Sequence, residues 1–426
     1  METNPKPITT GPGHVGPVAP QERIEILDIL RGWAIFGVLL VDIERLYRSR
    51  STWTASDQSV YQFIELFASD KFWTLLAFLF GLGFSLQLIR AERRGSGFSA
   101  VYRRRLLALM LIGVAQFILL TWGGAFLIRY GGLGFVLLAL RRLPSRTLLP
   151  AAIIFMLIPW AYLGGLGFIH ARRLANPETR AEVLRADAEG SAPRIAIQRE
   201  VREARDAGYN RRVAVQAKFF WQLYVFNLYQ SLSGWFINPP LAYVSWCSQL
   251  GLFFVGLYAG RRRVLEDIPA HLPLIRRVLT WGLVLGLAVS AVRYLMPDFS
   301  ILGVLGDPAL AFAYGSSIVL LAQRRSCQRL FVPLAAAGRM ALTNYLLMAL
   351  LLGVLAPAFG FGVYDRIGPT LGPALAAATY AGLMWLSTWW LKHFRFGPAE
   401  WLWRTLAYGK LQPMRLQPSL APAGLG

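Results

Sequence analysis

LLALMLIGVAQFILL, residues 106–120, holds no charged side chain, and LTWGLVLGLAVSAV, residues 279–292, repeats that character far along the chain. A hydrocarbon core about 30 Å thick is crossed by a helix of about 20 apolar residues, because a helix satisfies its own backbone N–H and C=O groups where water is absent. Working outward from these two stretches, ten segments read as spans: 26–45, 71–89, 106–122, 124–140, 147–169, 241–260, 278–296, 300–322, 331–357 and 371–391. The expected fold class is therefore all-α, a polytopic transmembrane helix bundle of about ten spans. Composition agrees, since 55% of the 426 residues are hydrophobic and only 16% are charged. The span at 124–140 is short and contains Arg129, which makes it the weakest of the ten.

Charge sets the expected orientation. The chain carries 44 Lys and Arg against 23 Asp and Glu, a formal net charge of +21. These residues are not gathered on one basic face, so no nucleic-acid partner is expected. They sit between apolar runs: Arg90, Arg93, Arg94 and Arg103 to Arg105 in 90–105; Arg141, Arg142 and Arg146 in 141–146; Arg261, Arg262, Arg263, Arg276 and Arg277 in 261–277; and Arg324, Arg325 and Arg329 in 323–330. The tail from Lys392 is basic as well. Short basic loops are retained on the cytoplasmic side. Placing all five segments there requires an even number of crossings between 146 and 261, where three apolar stretches lie. The one that mixes Gln222, Asn227 and Gln230 with aromatics, KFFWQLYVFNLYQSLSGWF at 218–236, reads as an amphipathic interfacial helix. The expected location is the bacterial cytoplasmic membrane, with lipid around the bundle and both termini inside.

Five regions follow. Residues 1–22, rich in Pro and Gly, form a disordered tail and not a signal peptide. Membrane helices fill 23–169 and 241–393, an extracytoplasmic loop with the amphipathic helix fills 170–240, and a cytoplasmic interfacial helix and tail fill 394–426. In this last region Trp401, Trp403 and Arg404 flank an apolar surface, as on a helix lying against the membrane.

Two spans carry candidate chemistry. In IEILDILRGWAIFGVLLVDIERL, residues 24–46, Asp28, Arg31 and Asp42 fall on one helical face. Ionisable groups at membrane depth are costly, so they pair with one another or line a functional route. In FVPLAAAGRMALTNYLLMALLLGVLAPAF, residues 331–359, a continuous helix would place Arg339 roughly 12 Å and Asn344 roughly 20 Å from its start. Asn344 could serve only to lock two helices together. Asp28, Arg31, Arg339, Asn344 and Tyr345 are taken as candidate substrate-binding residues, and Asp42 as a candidate base. No HExxH, CxxC, Walker A or GxSxG motif occurs, so no metal and no bound cofactor are expected. Cys247 and Cys327 read as free thiols.

DILRGWAIFGVLLVDI at 28–43, KFWTLLAFLFGLGFSL at 71–86, GRMALTNYLL at 338–347 and FRFGPAEWLWRTLAYGK at 394–410 resemble the YeiB-like bacterial membrane proteins, and the resemblance runs through nearly the whole chain. More distantly, the first helix is similar to that of transmembrane acyltransferases such as heparan-glucosaminide N-acetyltransferase and the sugar O-acetylases. That resemblance implies an acyl-CoA donor in the cytoplasm and a small-molecule or envelope acceptor. It aligns Arg31 and Gly32 with the family Arg-Gly, and Asp42 with a polar position that is usually Asn in the YeiB-like proteins and His in the O-acetylases. A His that the YeiB-like pattern commonly carries in the third span, followed by a Gly-Asp pair, is replaced here by Gln116, and no acid occurs from there to Tyr130. Gln cannot shuttle protons as imidazole does. Either Asp42 takes over as base or the chain does not perform acyl transfer. Membrane transport of a small hydrophobic or anionic compound, and a non-catalytic scaffold, are the competing readings.

Overall fold

The computed structural model describes residues 24–47, 53–93, 98–120, 124–176, 179–182, 185, 239–296, 302–352 and 367–415. The expected tail at 1–22, the interfacial helix at 218–236 and most of the loop 170–240 lie outside the described residues. Among those residues the chain is an all-α bundle without a strand. Its helices are α1 (Glu25–Asp42), α2 (Ala55–Phe67), α3 (Lys71–Arg93), α4 (Phe98–Leu120), α5 (Gly124–Ala139), α6 (Ser145–Ala175) and α7 (Pro239–Arg261). They continue as α8 (Ile268–Leu295), α9 (Gly303–Ala322), α10 (Gln328–Arg339), α11 (Ala341–Leu350), α12 (Gly372–His393) and α13 (Pro398–Tyr408).

Three helices begin where their local chemistry places a start. Thr54 and Asp57 form a capping box that starts α2, an element absent from the spans read in the sequence. Asp267 caps α8, accepting from the Ala270 N–H at 3.2 Å, and a proline in the first turn follows. The start of α13 also has proline in its first turn, and its end is Gly409 in the left-handed conformation, φ 65°.

α3 is the wall shared by two cores. Leu75, Leu79, Leu82 and Leu86, spaced by three and four residues, face a cluster built with α1, α9, α10 and α12. Its opposite side, with Ala77, Phe84 and Leu88, faces a cluster built with α4, α5, α6 and α7. Glycines bring helices together at backbone distance. A Cβ on Gly81 would fall on the Phe253 carbonyl of α7, and one on Gly256 would fall on the Phe78 carbonyl of α3. Such close approach is how helices associate where lipid removes the hydrophobic driving force between them.

The outward faces are apolar. Leu107, Leu111, Ile118 and Leu119 of α4, Ile153 and Ile154 of α6, Trp281, Val284 and Leu287 of α8, and Trp385 and Trp389 of α12 are exposed. In water this would be a large unsatisfied hydrophobic surface; in a bilayer it is the lipid contact. By length and composition, four helical stretches among the described residues can cross a membrane: Ala55–Arg93, Ser145–Tyr162, Ile268–Leu295 and Gly303–Ala322. A fifth is the bent pair Arg325–Arg339 and Ala341–Leu350. α1 carries Glu25, Asp28, Arg31 and Asp42 in 18 residues, more charge than an ordinary lipid-facing span, and its middle is buried by protein. This is a membrane protein.

The expectation of one continuous helix over 331–357 is corrected. α10 and α11 meet at Met340 with a bend of 75°, so depth measured along a straight axis does not apply to Asn344.

Candidate functional site

The bend is held by side chains. Asn344, fully buried, donates through Nδ2 to the Ala337 carbonyl at 3.0 Å and to Ser387 Oγ of α12 at 3.0 Å; Ser387 donates back to Asn344 Oδ1 at 3.3 Å. The Ala337 carbonyl also accepts from the Met340 N–H at 3.2 Å, and Asn344 supplies its second donor at the break. Asn344 therefore acts as helix-packing glue in this geometry.

The break also frees N–H groups at the start of α11, and these point at Glu400. Glu400 Oε1 accepts from the Leu342 N–H at 2.7 Å and the Thr343 N–H at 3.1 Å, while Oε2 accepts from the Thr343 hydroxyl at 2.6 Å. Thr343 Oγ1 in turn accepts from the Ala399 N–H in the first turn of α13 at 3.1 Å. Two helix N-termini thus meet and cap each other across 57 residues of sequence, with one carboxylate between their positive ends. Burial pushes the Glu400 carboxyl above the ordinary carboxylate range, opposed by the hydrogen bonds from Thr343 and Leu342 that favour the anion. The last two motifs of the resemblance, at 338–347 and 394–410, meet at this contact.

α1 lies directly against the break. A Cβ on Gly338 would fall on the Asp28 carbonyl and 2.8 Å from the Gly32 nitrogen, and a Cβ on Gly32 would fall on the Leu334 carbonyl. Tyr380 of α12 donates its hydroxyl to the Gly32 carbonyl at 2.5 Å. Arg31 Nη1 lies 3.2 Å from Asp28 Oδ1, and its Nη2 reaches toward Gly83 of α3. Asp28 is buried, whereas about a third of the Arg31 side chain stays exposed, 34%. The structure thereby gathers Asp28, Arg31, Arg339 and Asn344 around one crossing. Tyr345 packs on the other side of α11, its ring 5.8 Å from Phe126 of α5.

Asp42 is not part of that group. It ends α1, about 21 Å along the helix axis from Asp28 and about 16 Å from Arg31. It is buried, 9% exposed, and so is held within the bundle at that end.

A second buried ionic group was not legible in the sequence. Lys71, 1% exposed at the start of α3, lies 2.6 Å from Asp307 of α9, which also meets Arg293 of α8 at 3.0 Å. Lys71 also donates to the Glu65 carbonyl at 3.3 Å, and Tyr314 donates to the Phe67 carbonyl at 3.0 Å. The α2–α3 turn, with Asp70 at φ 65°, is thereby clamped to α8 and α9. At the other end of α2, Asp57 accepts from the Thr370 N–H and hydroxyl at 3.1 and 2.7 Å, tying α2 to the entry of α12. Among the described residues no cluster of three or more His, Cys, Asp and Glu is arranged to hold a metal.

These features define a class: a membrane helix bundle with a broken helix capped from α13 and a polar first helix packed against the break. The family model described as "Protein of unknown function (DUF418)" matches residues 259–410, the stretch that contains the break and Glu400. The Bacillus subtilis (strain 168) protein "Uncharacterized protein YxaH" is 31% identical over 420 residues, covering 93% of this chain and 97% of the relative. "Uncharacterized protein YeiB" of Escherichia coli (strain K12) is 30% identical over 400 residues, covering 90% and 96%. The chain belongs to this YeiB-like, DUF418 family. No solved structure matches it.

Proposed function

We propose that this protein is a membrane acyltransferase of the bacterial cytoplasmic membrane, with ten spans and both termini inside. Its polar first helix would join a cytoplasmic donor to an outward acceptor. The observation that carries the reading is the placement of ionisable groups on α1: Asp28 and Asp42 are both buried at opposite ends of one helix, with Arg31 still partly exposed between them. Intramembrane charges in such places mark substrate routes. Arg31 and Arg339 would receive the phosphates of acyl-CoA, and the extended pantetheine arm would lead the thioester along α1 toward Asp42. There the Asp42 carboxylate takes the proton of an acceptor hydroxyl or amine. The acceptor's oxygen or nitrogen bonds to the acyl carbon, the carbon–sulfur bond breaks, and CoA leaves as a thiol that takes up a proton.

Asp42→Asn keeps shape and removes the base, so acceptor acylation is expected to fall by about 100-fold or more. The check is mass spectrometry of envelope lipids and glycans from cells lacking the protein, complemented with wild type or with Asp42→Asn. Normal acylation in the mutant would remove Asp42 from the chemistry.

A second reading is transport of a small hydrophobic or anionic compound, favoured by the α10–α11 break, since interrupted helices recur at carrier sites. In that case Asp42→Asn abolishes accumulation or efflux, and the envelope shows no covalent difference.

A further inference from the structure

α5 is an apolar helix, GAFLIRYGGLGFVLLA over Gly124–Ala139, with one charge in it, Arg129, about 8 Å from its start. Several other buried or half-buried cations have a carboxylate or carbonyl at hand: Lys71 and Arg293 share Asp307, Arg31 has Asp28, and Arg261 donates to the Arg141 and Leu143 carbonyls. Arg129 is different. Among the described residues it makes no hydrogen bond and no ion pair, and its electrostatic neighbours are the neutral phenols of Tyr130 and Tyr345. It is partly buried, neither sealed in the packing nor free in water. A guanidinium kept at this depth without an anion is among the most expensive groups a membrane helix can hold.

Its surroundings have the character of a binding site. Trp73 and Phe126 stand with ring centroids 4.2 Å apart, Phe126 and Tyr130 3.9 Å, and Phe126 and Tyr345 5.8 Å, a wall contributed by α3, α5 and α11. One turn further along α5, on the same side as Arg129, a Cβ built on Gly132 meets nothing within 4 Å, whereas Cβ atoms on the neighbouring Gly131 and Gly134 would fall on Met110 and Leu106. The Gly132 face of α5 is open next to the turn that carries Arg129, and the rest of the helix is apolar. We infer that Arg129, the Trp73–Phe126–Tyr345 wall and the gap at Gly132 form a site for an anionic amphiphile, its phosphate or carboxylate on the guanidinium and its hydrocarbon chain along Gly132. Arg suits such a group because its planar fork pairs with either oxyanion. Arg129 has no role in the proposed acyl transfer, and the site does not depend on it.

The test is thermal unfolding of the purified full-length chain in neutral maltoside detergent, alone and with dioleoylphosphatidic acid, dioleoylphosphatidylcholine or inorganic phosphate. A ligand that binds the folded state raises the Tm. Phosphatidic acid is expected to raise it by several degrees and phosphatidylcholine not at all. Arg129→Gln should abolish the shift and, by removing an uncompensated charge, unfold no lower than wild type without lipid. Gly132→Leu, whose Cβ meets nothing within 4 Å, should fold normally and lose most of the shift. A full shift in Arg129→Gln, an equal shift with phosphatidylcholine, or no shift with phosphatidic acid overturns the site. The same shift with inorganic phosphate alone, or a full shift in Gly132→Leu, overturns its assignment to an amphiphile. Because the readout is binding, it stays separate from the fate of the Asp42 experiment.

Discussion

Glu400→Ala is expected to destabilise the folded chain by about 3 kcal/mol or more, and Glu400→Gln by far less. Alanine leaves the Leu342 and Thr343 N–H groups and the Thr343 hydroxyl without their acceptor, in a place too buried for water to replace it. Each buried orphan costs about 1–3 kcal/mol, and the positive ends of α11 and α13 would face each other with no negative charge between them. Glutamine keeps Oε1 on the two N–H groups and turns its NH2 toward Thr343 Oγ1, which retains a free lone pair. Unfolding in detergent measured by near-UV circular dichroism separates the two variants. If alanine and glutamine cost the same, the capping account of this contact is wrong.

The pH dependence of this contact has a definite sign. The folded pKa of Glu400 lies above its unfolded value, so the folded state holds the proton more strongly and ionisation costs stability. The contribution is fully present below the ordinary carboxylate pKa and is lost as pH rises through the raised folded value. Wild type should therefore lose stability as pH climbs from about 4.5 across that window, and Glu400→Gln should flatten the curve. A Gln variant with the same pH slope as wild type would place the titrating group elsewhere.

The second large effect belongs to the α1–α10 crossing. Gly338→Leu is expected to prevent assembly of the native bundle, and Gly338→Ala to cost about 3 kcal/mol. The added Cβ meets the Asp28 carbonyl and the Gly32 nitrogen, both backbone, so no side chain can rotate aside. Relief requires α1 and α10 to separate, which also pulls Gly32 from Tyr380. Gly165→Ala is the control, since a Cβ there meets nothing within 4 Å. Size-exclusion profile and Tm in detergent decide the matter: a Gly338→Leu protein that elutes and melts like wild type would show that the crossing can yield.

All-α membrane architecture was legible from apolar run length alone. Each of the ten stretches read in the sequence contains a helix, because a bilayer leaves the backbone few alternatives and composition announces it. The Asp28–Arg31 pair was equally legible, since three residues on a helix make neighbours. Asn344 could be recognised as a polar residue inside an apolar run, but its role as a lock on Ser387 needed a partner 43 residues away. Glu400 was passed over inside an interfacial helix, although a Glu in the first turn after Gly-Pro is a capping position; the N–H groups it caps belong to another helix. Lys71 opens one apolar run and Asp307 lies in the early part of another, and only packing reveals them as a pair.

What the sequence by itself determined is that this chain forms helices in a membrane and which side chains are too polar to face lipid. Tertiary structure decided where those beyond the Asp28–Arg31 pair find partners: Glu400 at the break and Lys71 with Asp307 at the α2–α3 turn, while Arg129 has none among the described residues. The physical reason is range. Hydrophobic run length and helical spacing act within about twenty residues, whereas the cost of a buried charge is settled by whatever the fold brings beside it from anywhere in the chain.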